Sequence, residues 1–312
     1  MARPRRLLFI QVRLDTGELP QPFMAERSLF DFADPMTDEQ QDAVEERLRA
    51  FRAANPVRDY VRDPLQVVSF GGGTQSTAML LMIRDGTLPR PDIVIFADTG
   101  SELPETMQHI EEVARPFIEE ELGLPFFVVT SHRGALHEAY MEKRAIPMKG
   151  IRSCTTHHKI LPQRRKVREI VGKKNGVRLA EMWLGITTDE ARRRTTSDVK
   201  WASLRYPLLD DVPMTRDECI ALNEANGWEV VKSGCFCCPY AGAKAYRDLR
   251  DTHPELFAIC VEMERLAHER QKEEGKTLRS GLCWERALDD LDELPERYNE
   301  DSQCDADIGC FI

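Results

Sequence analysis

The sequence contains no long apolar run, no internal repeat and no excess of basic residues, and each absence excludes a class of protein. No apolar stretch approaches the roughly 18 residues that a membrane-spanning helix needs. The basic residues 1–6 precede only a short apolar run, which is not typical of a secretory signal. With 18 Gly and 18 Pro in 312 residues, the composition is not that of a disordered chain. We therefore expect a folded cytoplasmic protein without membrane association.

The balance of charges limits the partners of the protein. The chain has 43 Lys and Arg against 53 Asp and Glu, a formal net charge of −10, so no overall positive field attracts it to a polyanion. One dense basic stretch covers residues 157–174, and residues 192–194 form a second. On a helix from Leu161, positions 164, 165 and 168 share a face. This face either contacts the phosphates of a nucleotide or nucleic acid, or it is only solvated.

Short β-rich runs alternate with helical patterns between Leu65 and Pro213. The predicted strands are residues 66–70, 93–97, 126–130 and 181–186, and helices are predicted from Pro104, Leu161, Thr215 and Pro254. This alternation predicts an α/β fold with a parallel sheet, whose ligand crevice lies beyond the carboxyl ends of the strands. We divide the chain into an accessory segment (1–65, with a helix opened by Thr37), an α/β nucleotide-binding domain (66–213) and a helical, cysteine-bearing region with a loose tail (214–312).

A glycine-rich loop follows the first predicted strand. It reads Ser69-Phe-Gly-Gly-Gly-Thr-Gln-Ser76 and leads into a helical pattern. Glycines let the backbone turn tightly, so that several amides and the helix N-terminus face one phosphate. The loop has neither the Gly-Lys-Ser/Thr ending of a Walker loop nor the spacing of a dinucleotide fingerprint. The alternative is a turn between a strand and a helix that binds nothing.

Nine cysteines indicate metal or thiol chemistry in a reducing compartment more often than disulfides. Cys235 and Cys238 have C-x-x-C spacing, and Cys154 precedes them by about 80 residues. These three thiolates predict an iron–sulfur cluster or, alternatively, a zinc site. A fourth ligand would be Cys237 or a tail cysteine; without one, an iron stays open.

The other cysteines are interpreted separately. Cys219, Cys260 and Cys283 lie in apolar helical patterns and are predicted to be small core residues.

Four segments, in order along the chain, resemble the superfamily of ATP pyrophosphatases and phosphoadenosine phosphosulfate (PAPS) reductases. The glycine loop is similar to its S-G-G-x-D-S loop, with Gln75 in place of Asp, as in the reductases. Residues 98–106 resemble the reductases' D-T-G-x-x-x-P-E-T. Residues 154–162 are similar to C-C-x-x-x-K-x-x-P, and residues 183–193 to G-x-R-x-x-E/Q-S-x-x-R, with Thr187 in place of the first Arg.

The resemblance implies a Rossmann-like α/β domain of the HUP type and a set of site residues. The expected nucleotide-binding residues are Ser69, Phe70, Gly71, Gly72, Gly73, Thr74, Gln75, Ser76, Asp98, Thr99, Gly185 and Arg192. The expected catalytic residues are Asp98, which would hold ribose or Mg²⁺, Lys159 and Cys310. The expected metal ligands are Cys154, Cys235 and Cys238, with Cys237 or Cys304 as the fourth. Thr155 stands where adenylyl-sulfate reductases carry a second cysteine.

The tail carries Cys304 and Cys310 where sulfonucleotide reductases carry a nucleophilic cysteine in an E-C-G-x-H context. Here no His follows, and Asp305 and Asp307 disfavour a thiolate beside them. Cys310 follows the flexible Gly309 and is the candidate nucleophile or sulfur carrier.

The resemblance implies a nucleotide enzyme of sulfur metabolism. The first interpretation is a sulfurtransferase that uses ATP, Mg²⁺ and a [4Fe-4S] cluster to thiolate an adenylated substrate. One alternative is an adenylyl-sulfate or PAPS reductase, which takes a sulfonucleotide; another is a non-catalytic nucleotide-binding module with structural zinc. The expected partners are an adenine nucleotide, a sulfur donor protein and a nucleic-acid substrate bound through the basic stretch.

Overall fold

The computed structural model describes residues 59–149, 151, 153–174, 176–229, 233–276, 281–282 and 288. The helix predicted from Thr37 and the residues Cys283, Cys304 and Cys310 lie outside these ranges, so the expectations for them stay predictions. The division of the chain into three regions also stays a prediction.

Within the described residues, five strands form one parallel sheet. They are β1 (Leu65–Phe70), β2 (Ile93–Asp98), β3 (Phe126–Thr130), β4 (Ala180–Trp183) and β5 (Ala202–Arg205). Their order is β3-β2-β1-β4-β5, and every neighbouring pair is parallel. The chain therefore builds outward from β1 in one direction and then crosses to the other side of β1. This arrangement confirms the predicted α/β, Rossmann-like fold.

Helices cover the sheet and continue after it. Their bounds are α1 (Thr74–Arg84), α2 (Pro104–His109), α3 (Leu136–Glu142), α4 (Leu161–Val171), α5 (Pro207–Asp210), α6 (Arg216–Ala225), α7 (Ala243–Thr252) and α8 (Pro254–Glu273). Wider π-helical turns occupy Ile110–Ala114, Phe117–Glu121 and Thr156–Ile160, the last following a short helical turn at Ser153–Thr155; Thr188–Arg193 is a 3₁₀ helix. The predicted helix starts at Pro104, Leu161 and Pro254 are confirmed.

The predicted start of α6 is confirmed by its capping box. Thr215 Oγ1 accepts a hydrogen bond from the Glu218 amide (3.3 Å), and Glu218 Oε2 accepts one from the Thr215 amide (2.7 Å). Two amides that the helix itself leaves without partners are thereby satisfied.

Both faces of the sheet are buried, as parallel sheets require. Alternate residues of β1 point to opposite faces: Val68 and Phe70 pack with α1, whereas Leu65 and Val67 pack with α4. The Phe70 ring lies 6.3 Å from the ring of Phe126, which joins β1 to β3 across one face. The sheet therefore forms a rigid base from which the loops at its carboxyl edge extend.

Two predictions of strands need correction. The strand predicted over 181–186 ends at Trp183, because the Ile186 amide donates to the Leu184 carbonyl (3.0 Å) and turns the chain there. Gly185 lies against the start of α1. The strand β5 was missed, since its sequence Ala-Ser-Leu-Arg is short and only partly apolar. The helix α7 was not predicted either.

A second core lies in what we call the cysteine layer, the segment 233–241 together with α7 and α8. Its buried residues include Cys237, Tyr246, Cys260 and Met263. Both Cys260 and, against α1, Cys219 are fully buried, which confirms them as small core residues. In the described ranges no helix has both the length and the apolarity needed to cross a membrane.

Candidate nucleotide and thiol site

The glycine loop lies at the topological switch point of the sheet. The chain leaves β1 toward β2 on one side and later places β4 on the other, so the order of the strands reverses at β1. In open parallel sheets the ligand crevice lies at this point. The loop 71–73 follows β1, and Gly185 follows β4. This is the position at which open parallel sheets bind their ligands.

The loop is shaped by its own hydrogen bonds. Ser76 Oγ donates to the Gly73 carbonyl (3.0 Å) and accepts from the Gly71 amide (3.3 Å). Gly72 has φ +70°, a conformation that favours glycine. Gly73 precedes α1 and has no side chain to cap it. The first amides of α1 therefore point into the crevice with the positive end of the helix dipole, which suits a phosphate.

Two distant segments approach the loop closely. A Cβ atom on Gly185 would lie 3.2 Å from the Ser76 amide nitrogen, and one on Gly73 would lie 2.8 Å from Ser233 Oγ. The loop after β4 thus touches the start of α1, and the cysteine layer touches the glycine loop through Ser233. Side chains at either glycine would fill the space nearest the candidate phosphate site.

The predicted nucleotide-binding residues take different positions. Ser69 Oγ donates to Gln163 Oε1 (2.7 Å), and the Phe70 side chain lies in the core, so these two residues support the loop from below. Gln75 Nε2 donates to Glu190 (3.4 Å) at the rim. Arg192 is exposed.

The adjacent arginine is the one that reaches this rim. Arg193 forms an ion pair with Glu190, and both side chains are largely buried. Asn223, in α6, donates to the Thr74 carbonyl (3.0 Å) and fixes the first turn of α1.

A second group of polar residues follows β2. Asp98 Oδ1 accepts from the Gly100 amide (2.7 Å), which turns the chain sharply. Thr99 Oγ1 lies 3.1 Å from Glu102 Oε1 and 3.2 Å from Cys235 Sγ. Lys159 Nζ lies 3.8 Å from the same carboxylate. Threonine, glutamate, lysine and thiol therefore meet at one point on the carboxyl edge.

The environment of Asp98 favours its neutral form. Desolvation raises the pKa of its carboxyl group to about 6, and the charges of Glu102 and Glu111 act in the same direction. The Gly100 amide and Lys159 oppose this shift in pKa. A cation beside Asp98, such as Mg²⁺ carried by a nucleotide, would favour the carboxylate.

The helix α3 holds this group in place. Ser101 Oγ lies 2.8 Å from His137 Nδ1 and accepts from the His137 amide (3.1 Å). The Leu136 amide donates to the Thr99 carbonyl (2.8 Å). Burial lowers the pKa of His137, so its ring is held neutral.

The cysteines reach the same edge from two segments. An antiparallel bridge pairs Cys235 with Glu102, and the Phe236 amide donates to the Ser101 carbonyl (2.9 Å). Cys237 is fully buried. Burial raises its pKa well above the ordinary value for a thiol, and the charges of Cys260, Cys235 and Cys154 add to this shift.

The donor atoms at this edge are thiol sulfurs, which is the type of ligand that a soft metal centre binds. Thiolates near one another repel, and a cationic centre that binds them removes the repulsion. The thiols of Cys154 and Cys235 both act on Cys237, so the two predicted segments converge. Among the described side chains, no three of His, Cys, Asp and Glu lie close enough to hold a metal ion. Ligation would therefore draw the thiols together.

Some residues of the site were not found from the sequence. Glu102 was noted only as part of a motif, yet its side chain is almost fully buried at the centre of the group. Ser101, His137 and Ser233 carried no signal of their own, because their contacts are formed across segments far apart in the chain.

A glycine loop at the switch point of a parallel sheet is the arrangement expected for an α/β fold of the pyrophosphate-loop type. Residues 66–205 match the family model described as the phosphoadenosine phosphosulfate reductase domain. This match, over a little less than half of the chain, confirms the resemblance.

Three similar proteins illustrate the relationship. An uncharacterized protein of Methanocaldococcus jannaschii is 25% identical over 248 residues, which cover 74% of this chain and 53% of that protein. The chain thus spans about half the length of this curated relative. A phosphoadenylyl-sulfate reductase from Candida auris, in a phosphate complex, is 13% identical with a TM-score of 0.38, covering 64% of this chain and 91% of that one. The U34-tRNA thiolase NcsA from Methanococcus maripaludis, with its [4Fe-4S] cluster, is 16% identical with a TM-score of 0.35, covering 81% and 89%.

Proposed function

We propose that the protein is an ATP-using sulfurtransferase that binds an adenine nucleotide at the glycine loop and carries a [4Fe-4S] cluster on its cysteines. The observation that carries this proposal is the contact between the cysteine layer and the loop. Ser233, two residues before Cys235, lies against Gly73, and Cys235 Sγ lies 3.2 Å from Thr99 Oγ1 after the neighbouring strand. Sulfur chemistry and phosphate binding would therefore share one crevice.

The chain's own residues would prepare the first step. The amides at the start of α1 and Ser76 would hold the β and γ phosphates of ATP, and Asp98 would hold its Mg²⁺ or ribose. A substrate oxygen would attack the α-phosphorus, and the bond from this phosphorus to the bridging oxygen would break, so that pyrophosphate leaves with the electron pair. Lys159, positioned by Glu102, would neutralise charge that develops on the phosphates.

In the second step sulfide from an external donor would attack the adenylated carbon with its own electron pair, and AMP would leave with the electrons of the broken C–O bond. Cys154, Cys235 and Cys238 would hold the cluster, with Cys237 or Cys304 as the fourth ligand. When bound, the cluster supplies an iron that can take a sulfur ligand. Cys310 stays the candidate for a mobile sulfur carrier.

A sulfonucleotide reductase is the second candidate, and two observations favour it. The family match covers the domain that carries the loop, and Gln75 occupies the position at which ATP-using members carry Asp. In that reaction a thiolate would attack the sulfate sulfur, and the nucleotide phosphate would leave with the electrons of the broken S–O bond. A second thiol would then attack the cysteine sulfur of the adduct, so that a disulfide forms and sulfite leaves with the electrons of the broken S–S bond.

One experiment separates these functions. Full-length protein, purified without oxygen and supplied with iron and sulfide, is incubated with labelled ATP or PAPS. Release of AMP and pyrophosphate in the presence of sulfide and acceptor supports the sulfurtransferase, and release of sulfite from PAPS supports the reductase. If the protein contains zinc and turns over neither nucleotide, both proposed functions are overturned.

The variants Gly73→Val and Cys235→Ala test the two halves of the site, and Cys219→Ala is the matched control. Gly73→Val should lose ATP binding while keeping iron, because its side chain enters the space before Ser233. Cys235→Ala should lose iron and the visible absorbance of the cluster. Cys219 is buried against α1, away from the cysteine layer, so its loss should change neither. Full iron binding by Cys235→Ala would contradict the assignment.

A further inference from the structure

A group of cationic side chains lies beside the site and takes no part in the chemistry proposed above. We call it the cationic patch and define it by His132, Arg133, Lys143, His157 and Arg165. They come from three segments: the loop after β3, the residue that follows α3, and the helical stretch formed by the turn Thr156–Ile160 and α4. His132, Arg133, Lys143 and Arg165 are exposed, and His157 is half-buried.

Several contacts bring these residues together. Arg165 Nη2 lies 2.8 Å from His132 Nδ1. Burial lowers the pKa of His157, and the positive charges of Arg133, Lys143 and His132 lower it further. The same three residues, together with burial and His157, act on His158, which is almost fully buried. The patch is therefore one electrostatic unit, although its members are separated in the sequence.

Two cations of the patch differ from three arginines elsewhere in the molecule. Arg115, Arg144 and Arg265 each pair with two glutamates. Within the part of the chain that the structure describes, neither Arg133 nor Lys143 forms an ion pair. The nearby Glu138 carboxylate instead accepts from the Ala135 amide (3.3 Å). In a protein of net charge −10, neighbouring cations that form no ion pair within the described structure are best explained by an anionic partner.

Two further polar atoms in this region lack partners. The Nδ1 atoms of His157 and His158 are buried and accept or donate no hydrogen bond within the described structure. Buried nitrogen atoms of this kind usually have a partner, because leaving them unsatisfied costs free energy. They lie on the π-helical turn that also carries Lys159, at the boundary between the patch and the site.

The patch is continuous with the mouth of the crevice. A Cβ atom on Gly100 would lie 2.9 Å from Cβ of Ala135, so the loop of His132 and Arg133 packs directly on the turn after β2. A molecule bound across the patch would therefore extend toward Asp98 and Thr99.

We propose that the cationic patch binds the phosphodiester backbone of a nucleic acid whose nucleotide enters the crevice as the sulfur acceptor. The patch is spread over three segments on the surface, which suits a chain of phosphates better than one small anion. In the function proposed above, the phosphates of the cosubstrate take a separate site at the glycine loop. The acceptor role rests on the proposed function, but binding does not, and the test below measures binding alone.

The experiment measures fluorescence anisotropy of a labelled single-stranded RNA, and of the DNA strand of the same sequence, with full-length protein between about 50 and 200 mM salt. The test variant is Arg133→Glu with Lys143→Glu. The matched control is Arg62→Glu with Arg90→Glu, which makes the same change of charge at the opposite edge of the sheet. Unfolding curves for all proteins show that they fold.

The test variant should bind at least one of the two strands about tenfold more weakly than wild type, and its slope of log affinity against log salt should decrease by about 1.4. The control should change by less than about twofold. A preference for RNA or DNA identifies the acceptor. Equal affinity for the two strands indicates that the protein contacts only the phosphate backbone. The proposal is overturned if wild type binds neither strand, if test and control weaken equally, or if only ATP or PAPS binding is lost. If the protein binds a strand but turns over neither nucleotide, the proposed function is wrong and the proposal of nucleic-acid binding still holds.

Discussion

The sheet core and the cysteine layer are packed differently. In the sheet core, neighbouring strand residues such as Val67 and Val68 are both fully buried among apolar side chains. The cysteine layer also contains buried polar groups that form hydrogen bonds with other segments. Tyr246 donates its hydroxyl to the Cys238 carbonyl (2.9 Å). Glu264, almost fully buried, accepts from the amide of Leu288 (2.7 Å), 24 residues further on. The first region is stabilised mainly by burial of apolar surface, and the second depends also on specific polar partners.

This difference in packing between the sheet core and the cysteine layer is related to function. Among the described residues, the two clusters of the sheet core are apolar apart from the buried thiol of Cys219, so the core can serve as a rigid support for the glycine loop. The cysteine layer carries the thiols, and its burial raises the pKa of Cys237 and Cys260. If this layer binds a metal centre through charged thiolates, as we propose, it cannot be purely apolar, because an unpaired charge in such surroundings is costly.

The largest expected effect tests the apolar half of the comparison. Phe70→Ala removes a ring that is fully buried between Phe96 and Phe126, and should lower the free energy of unfolding by about 3–5 kcal/mol. Urea unfolding of the full chain measures it.

The control for this change lies in the other region. Phe257 in α8 is only partly buried, so Phe257→Ala should cost about 1–2 kcal/mol. If the two variants lost equal stability, the sheet core would not be the more strongly packed region.

The parts of the fold that follow from local pattern were predictable from the sequence. Residues 66–70 showed a strand because their side chains are apolar on both faces, and Thr215 with Glu218 marked the start of α6 because a capping box is a local device. The glycine loop was recognisable for the same reason: its shape depends on residues within eight positions of one another.

The rest depends on contacts between distant segments. Ser233 lies against Gly73 although about 160 residues separate them, and no local pattern encodes such an approach. The basic face predicted on α4 illustrates the same limit, because Arg164 pairs with Asp198 and Arg168 stacks on Trp201. Only Arg165 of that face remains in the cationic patch, whose other members come from elsewhere.

The next effect concerns the edge where the two regions meet. The pKa of Asp98 is about 6 in the folded protein, above its ordinary value of 3.8. Between these values the unfolded chain binds fewer protons, so stability falls as the pH rises toward 6 and stays reduced above it. Asp98→Asn removes this cost and keeps the oxygen that accepts from Gly100. It should therefore stabilise the metal-free protein by about 2 kcal/mol at pH 8 and not at pH 3.

Unfolding in urea with a chelator, at several pH values, measures this. Asp198→Asn is the control of opposite sign, because the hydrogen bond from Arg164 lowers the pKa of Asp198. That variant should lose stability at pH 8. A pH-independent change in Asp98→Asn would mean that its carboxyl group is not desolvated.

The smallest effect distinguishes stability from the positioning of thiols. Tyr246→Phe deletes the hydroxyl that donates to the Cys238 carbonyl (2.9 Å), and Tyr206→Phe deletes one that donates to the Thr195 carbonyl (2.8 Å). Both tyrosines are almost fully buried, so each variant should lose about 1 kcal/mol of stability. Only Tyr246→Phe frees the backbone of the C-x-x-C segment, so only this variant should speed alkylation of Cys238 in the reduced, metal-free protein, as followed by mass spectrometry. Equal alkylation rates in the two variants would mean that the polar hydrogen bonds of the cysteine layer stabilise it without positioning its thiols. The cysteine layer would then differ from the sheet core in its packing but not in a role for these hydrogen bonds in function.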